Sequence, residues 1–166
     1  MPLKTKRIIN CVITLSAAAL ALSLSACSKN EDKAVVDDAA AIEPLSKWAE
    51  SMRSSLPMKL NEQISLTDLK VGPSRRLEYV YVINIPFEAY KQAFPDQKAF
   101  IKDQETALNT TKKSYCNEDA MKSFRENGIF VHYTYFSSDN KPLFEIEDFN
   151  QEICKLEELP KLKVSF

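Results

Sequence analysis

The stretch Leu24-Ser25-Ala26-Cys27 fixes the chemistry open to everything that follows it. It closes an N-terminal segment that carries Lys4, Lys6 and Arg7, no acidic residue, and the apolar run "IINCVITLSAAALALSLSAC". A basic start, an apolar run and a small-residue end make an export signal. The run holds Asn10, Cys11, Thr14 and several serines, whereas a membrane anchor is about 20 more uniformly apolar residues. The four closing residues fit a lipobox, where the peptide is cut before the cysteine and Cys27 is lipidated. Simple cleavage near Ala26, releasing a free secreted chain, is the competing reading. The polar "SKNEDK" that follows at once favours the lipoprotein. Ser28, in place of Asp, implies sorting to the outer membrane. Three acyl chains of the palmitate class bury enough CH₂ groups for a stable anchor.

Export simplifies the cysteine count. Cys11 leaves with the signal and Cys27 takes lipid, so Cys116 and Cys154 remain. Two cysteines in an oxidising compartment are expected to form one disulfide. Its loop spans 38 positions, and closing it stabilises the fold by roughly 4 kcal/mol in the chain-entropy account. Loss of residues 1–26 leaves 19 Lys and Arg against 23 Asp and Glu, a net charge of −4. No basic stripe remains to neutralise phosphates, which argues against a nucleic-acid partner. The remaining length, about 140 residues, is one domain with room for a real core.

The expected organisation is a signal at 1–26, a flexible tether at 27–41 and a single α+β periplasmic domain at 42–166. "EPLSKWAESMRSS" places Leu45, Trp48, Ala49 and Met52 on one helical face, with Pro44 in the first turn. Ile64, Leu66, Leu69 and Val71 predict a strand with an irregularity near Thr67-Asp68, and "GPS" at 72–74 a turn. "RLEYVYVINI" at 76–85 is the clearest strand. Leu77, Tyr79, Tyr81, Ile83 and Ile85 share one face, and Val80 and Val82 on the other imply a central position.

Residues 86–115 turn helical. Pro95 stops one short helix, and Asp96 caps a longer one with Phe100, Ile101, Gln104, Leu108 and Tyr115 on its inner face. Asn117 is placed as the cap of a third, short helix with Ala120, Met121 and Phe124 inward and Gly128 at C′. "IFVHYTYF" and "PLFEIEDF", joined by "SSDNK", predict a hairpin. The tail "KLEELPKLKVSF" reads equally as a frayed end or one more edge strand. The fold class that follows is α+β: an antiparallel sheet of four or five strands, helices on one face, one disulfide.

The residue list excludes much chemistry. His132 is the only histidine and sits within an aromatic strand, where a structural role outweighs a catalytic one. With one histidine and a paired cysteine couple, a zinc site lacks its usual ligands, and a Cys–His nucleophile needs a free thiol. There is no G-x-S-x-G elbow, and Gly72 and Gly128 are the only glycines, so no phosphate loop exists. The carboxylates of "EIEDF" at 145–149 and "NED" at 117–119 fit a solvated hairpin face and a helix first turn, and "EIEDF" lacks the spacing of a calcium loop. No cofactor or metal is expected. One surface candidate remains. If the two strong strands are neighbours, Tyr79, Tyr81, Tyr133 and Tyr135 form a cross-strand aromatic patch. Such a patch is either core beneath helices or a half-wet groove for a peptide.

The order of tether, "LP" before a strand, "RLEYVYVI", "LNTTKKSYCNEDAMKSFRENG", "IFVHYTYF", hairpin and Cys154 resembles the beta-type pilotin lipoproteins of type II secretion systems. The resemblance runs from about Leu56 to Cys154 and rests on the Cys116–Cys154 spacing, Gly128 before a Tyr-containing strand, and the hairpin leading into Cys154. It implies a small α+β protein, anchored to the outer membrane, whose disulfide ties a helix start to the end of the last hairpin. It implies a non-catalytic role, gripping a short helical segment of a secretin subunit. Residues 86–113 form a longer helical insertion than the family outline implies, and the hairpin turn "DNKPL" lacks its usual Gly. The leading expectation is thus a non-enzymatic lipoprotein that binds a protein partner in the periplasm. An immunity or inhibitor lipoprotein against a toxin or lytic enzyme is the alternative, and a carboxylate-based cell-wall hydrolase comes third.

Overall fold

The computed structural model describes residues 38–166. The export signal, Cys27 and residues 28–37 lie outside the described residues. Helix α1 spans Asp38–Arg53 and so begins ahead of Pro44. Its Leu45 and Ala49 are buried, and Trp48 and Met52 pack against the same core. Arg53 Nε donates to the Leu69 carbonyl at 2.8 Å, which fastens the end of α1 to the sheet.

The strands are β1 (Met58–Lys59), β2 (Ile64–Gly72), β3 (Arg76–Ile83), β4 (Phe130–Ser137), β5 (Pro142–Phe149) and β6 (Leu162–Val164). In β2 the register shifts between Leu66 and Asp68, as the broken alternation predicts. One extra residue resets the parity, so Ile64, Leu66 and Leu69 are all buried on one side. Thr67 Oγ1 donates to the Val80 carbonyl at 3.1 Å, tying the bulge to the neighbouring strand. The tail resolves as the edge strand β6, paired with β5 through Phe144 and Val164.

The sheet corrects the sequence expectation. It has six strands in the order β1-β2-β3-β4-β5-β6 and is mixed, because β3 and β4 are parallel. The reason lies in the connection. Antiparallel neighbours can be joined by a tight turn, but a parallel pair needs a long crossover, normally helical. Residues between Ile83 and Phe130 supply it as α2 (Phe87–Ala93), α3 (Gln97–Asn117), a 3₁₀ turn (Asp119–Met121) and α4 (Lys122–Glu126). What reads as an insertion in sequence is the crossover of the fold.

Local signals set the crossover's boundaries. The Asp96 carboxylate accepts from the Lys98 and Ala99 amides at 2.9 and 3.4 Å, a cap of the kind that contributes about 1 kcal/mol. Phe100, Gln104, Ala107, Leu108 and Tyr115 form the buried stripe of α3, while Ile101, expected with them, is 37% exposed on the helix flank. Asn117 does not cap the next helix. It is the last residue of α3, with Nδ2 donating to the Lys113 carbonyl at 2.9 Å, because helical hydrogen bonding continues past Cys116. Gly128 adopts φ +62°, the left-handed conformation that lets the chain leave α4 for β4. The core fills the space between the helices and the face of the sheet that carries Leu77, Ile83, Val131, Phe144, Ile146 and Phe149.

Candidate functional site

Because β3 and β4 run parallel and in register, Tyr79 lies opposite Tyr133 and Tyr81 opposite Tyr135. Alternation puts all four side chains on the helix-bearing face. The structure therefore brings together the four tyrosines singled out from sequence. Their rings stack, with centroids 5.5 Å apart for Tyr79–Tyr133, 5.0 Å for Tyr81–Tyr135 and 6.3 Å for the diagonal Tyr81–Tyr133. Offset pairs of this kind contribute about 0.5–1.5 kcal/mol each beyond their buried area. The stack continues into β5 through Tyr135–Phe144 at 4.3 Å, and Tyr133 meets Phe149 edge-on at 5.5 Å.

The stack is neither core nor open surface. Tyr79, Tyr81 and Tyr133 are half-buried, and only Tyr135 is closed off, at 5% exposure. Yet desolvation raises the pKa of all four phenols well above the ordinary tyrosine value. For Tyr81 the neighbouring tyrosines add to this, and for Tyr133 the neighbouring tyrosines and Glu118 do. Three of the rings thus keep solvent contact on a largely desolvated face, at the margin of the core.

Away from the tyrosines, one flank of α3, with Ile101, Glu105 and Leu108, lines a separate cleft of about 520 Å³ against Leu159, Pro160 and Leu162 of the tail. At 100° per residue the opposite flank carries Asp103, Ala107 and Ser114, followed by Glu118. Glu118 acts on Tyr133, so this second flank borders the tyrosine floor. On the far side α1 packs over β2, beside Tyr79 and Tyr81 of β3.

Sequence reasoning missed the depth of the site. All six tyrosines of the chain belong to one aromatic network. Tyr90 of α2 packs on Phe144 at 6.5 Å and Tyr115 of α3 on Phe149 at 5.6 Å. Burial pushes the Tyr115 phenol up to about 12 and the Tyr90 phenol higher still. On α3, Gln104 is wholly buried and its amide nitrogen and oxygen both lack a hydrogen-bond partner. The Tyr90 and Tyr115 hydroxyls are unpartnered as well. The available signal was a glutamine on an otherwise apolar helical stripe.

The remaining candidates are structural. Cys116 and Cys154 form a disulfide that pins the end of α3 to the 3₁₀ turn Gln151–Cys154 after the hairpin, with Cα atoms 5.6 Å apart. His132 lies on the opposite face of β4 from the tyrosines. Arg76 Nη2 reaches its Nδ1 at 2.8 Å; a guanidinium only donates, so Nδ1 accepts and Nε2 carries the proton, 3.6 Å from Glu145 Oε2. Trp48 packs edge-on to Phe124 at 5.7 Å as part of the core margin. Among the described residues no group of three or more His, Cys, Asp or Glu is placed to hold a metal ion, and no helix is long and apolar enough to cross a membrane.

No protein-family model and no curated protein matches this sequence. Solved structures do share its fold. A Pseudomonas aeruginosa protein assigned as secreted superposes with a TM-score of 0.56 at 16% identity, over 73% of this chain and 98% of its own. The pilotin EpsS from the Vibrio vulnificus type 2 secretion system gives a TM-score of 0.52 at 12% identity, over 72% of this chain and 96% of its own. The pilotin AspS from Vibrio cholerae gives 0.47 at 14% identity, over 70% and 94%. The fold of this chain therefore resembles that of a type II secretion pilotin.

Proposed function

We propose that this protein is a non-catalytic lipoprotein, anchored through Cys27 to the outer membrane and facing the periplasm, that holds a helical segment of a protein partner on its tyrosine floor. The partner class we propose is a secretin subunit, which makes the protein a pilotin. The observation that supports this reading is the stack of Tyr79, Tyr81 and Tyr133, half-buried, with Tyr135 buried beside them, on a fold shared with a pilotin. An amphipathic helix laid in such a trough buries its apolar face on the rings, while the phenol hydroxyls accept polar groups at its edge. A trough of neutral aromatics with no nucleophile beside it suits holding, not turnover.

The test is in-cell crosslinking from a photoreactive residue at position 81 or 133, followed by mass spectrometry. Recovery of a secretin is the expected result, together with secretin failing to reach the outer membrane when the protein is deleted. Secretin assembly that is unaffected by deletion would end the pilotin reading. Recovery of a toxic or lytic enzyme, with cell death on deletion, would replace it with an inhibitor role.

A further inference from the structure

Strand β6 ends the sheet, and among the described residues no strand lies beyond it. Its hydrogen bonds show which backbone groups are in use. Ser165 N donates to the Leu143 carbonyl at 2.8 Å, Glu147 N donates to the Lys161 carbonyl at 2.9 Å, and Lys163 stands opposite Glu145. Residues 161, 163 and 165 therefore turn their backbone groups towards β5. By the alternation of an antiparallel pair, the N–H and C=O groups of Leu162 and Val164 turn the other way, to the open edge. The side chains alternate as well. Leu162 and Val164 are half-buried on the helix-bearing side, opposite Ile146 and Phe144, while Lys161, Lys163 and Ser165 are exposed.

This edge opens onto the cleft of about 520 Å³ beside α3, where Ile101 and Leu159 give apolar lining and Lys161 and Lys163 give charge. Among the described residues the exposed large apolar side chains are Ile101, at 37%, and Leu156, at 50%. Ile101 lines the cleft, and Leu156 lies just ahead of Leu159 on the tail, its carbonyl held to α3 by Lys112 Nζ. Exposed apolar area thus collects where the backbone edge is open. Charge narrows the choice of occupant. On the outer face Lys70 pairs with Glu78 at 3.7 Å, Arg76 reaches His132 at 2.8 Å and His132 reaches Glu145 at 3.6 Å. Glu145 and Glu147 stand opposite Lys163 and Lys161. Each strand meets its neighbour with a complementary group, and the series stops at the edge on two exposed lysines.

We propose that the β6 edge is a docking site for an extended segment of another protein chain, with apolar and acidic residues in alternation, which adds to the sheet as a further strand. Its backbone bonds to Leu162 and Val164. Its apolar row lies on the helix-bearing side against Ile101 and Leu159, where Glu105 repels an acid. Its acidic row lies on the outer side against Lys161 and Lys163. No part of the fold has to open. A second copy of this chain is disfavoured, because the register that joins Leu162 to Val164 on both copies sets Lys163 against Lys163. The edge is separate from the tyrosine floor, so the helical segment held there binds independently of it.

The experiment titrates the full chain, in detergent micelles, into dye-labelled, end-capped peptides and reads fluorescence anisotropy. The probes are a peptide alternating valine with glutamate, one alternating valine with lysine, and the first with N-methyl groups along one backbone edge. NMR follows amide exchange residue by residue. The expected result is saturable binding of the glutamate peptide, at least about tenfold tighter than the lysine peptide, with slowed exchange at Leu162 and Val164. N-methylation should remove binding without altering the protein. Val164→Pro should weaken it at least about tenfold, since it deletes an open N–H and none of the bonds to β5. Lys161→Gln with Lys163→Gln should close the gap between the two peptides. Equal binding of both peptides, no saturable binding of the glutamate peptide, or protection at Tyr79 and Tyr81 in place of Leu162 and Val164 would overturn the proposal. So would a dimer of the unliganded chain, seen by sedimentation, that Val164→Pro abolishes, for then the occupant is a second copy.

Discussion

The two faces of the β3–β4 pair differ in how they treat polar atoms. On the helix-bearing face the polar atoms are phenols, neutral and desolvated, and the unpartnered Tyr90 and Tyr115 hydroxyls and Gln104 amide belong to the helices that pack on the sheet. On the opposite face they are charged and joined across strands. Thr134 Oγ1 donates to Glu78 Oε1 at 2.8 Å, Lys70 pairs with Glu78 at 3.7 Å, and Arg76 and Glu145 flank His132. The charged groups of that face answer one another across the strands and border a cleft of about 300 Å³ lined by Arg76, His132, Glu145, Glu147 and Lys163. A face with half-buried aromatic area gains from being covered.

That contrast breaks most readily at the buried end of the aromatic network. Phe144→Ala should cost about 3–5 kcal/mol in urea unfolding, because it removes a wholly buried ring that touches Tyr90, Phe100 and Tyr135. Opening the disulfide with Cys116→Ser and Cys154→Ser comes next, at about 2–4 kcal/mol, read the same way under non-reducing conditions.

A pH titration sharpens the comparison further. The phenols have folded pKa values above the ordinary tyrosine value of 10.0. Above about pH 10 the unfolded chain loses phenol protons that the folded chain keeps, so the unfolded state binds fewer protons and stability falls as pH rises. Their contribution is fully present below pH 10 and is lost towards and beyond the raised values. Tyrosinate absorbance near 295 nm should therefore appear together with the loss of the circular dichroism signal. Absorbance that rises near pH 10 with the fold intact would mean that the floor is ordinary solvated surface. The smallest effect belongs to the other face, where Thr134→Val should cost about 1 kcal/mol, by loss of one hydrogen bond to Glu78.

Much of this was legible in the chain. The break in β2, the Pro142–Phe149 strand, the Asp96 cap and the left-handed Gly128 are local events written by local residues. Strand direction was not. Alternation says which side chains share a face, and Tyr79 and Tyr133 share one whether their strands run parallel or antiparallel. Direction follows from residues 84–129 forming a crossover, part of which, 86–113, reads in the sequence as an insertion. Short strands such as β1 and β6 owe their existence to a partner more than to their own residues. Ile101 and Asn117 were misplaced because the extent and tilt of α3 are set by tertiary packing, which a helical wheel does not contain. Tyrosines on the strands were visible in sequence, whereas the packing of Tyr90 on Phe144 and of Tyr115 on Phe149 needed the fold.

The central claim is that partner binding belongs to one face alone. Peptide titration of Tyr81→Ala and Tyr133→Ala against Glu78→Ala and Lys163→Ala tests it directly. All four positions are partly or fully exposed, and each pair represents one face. Loss of at least about tenfold in affinity for the two tyrosine variants, with the two outer-face variants binding like wild type, is the predicted result. Weakened binding in the outer-face pair, with the tyrosine pair unaffected, would contradict it.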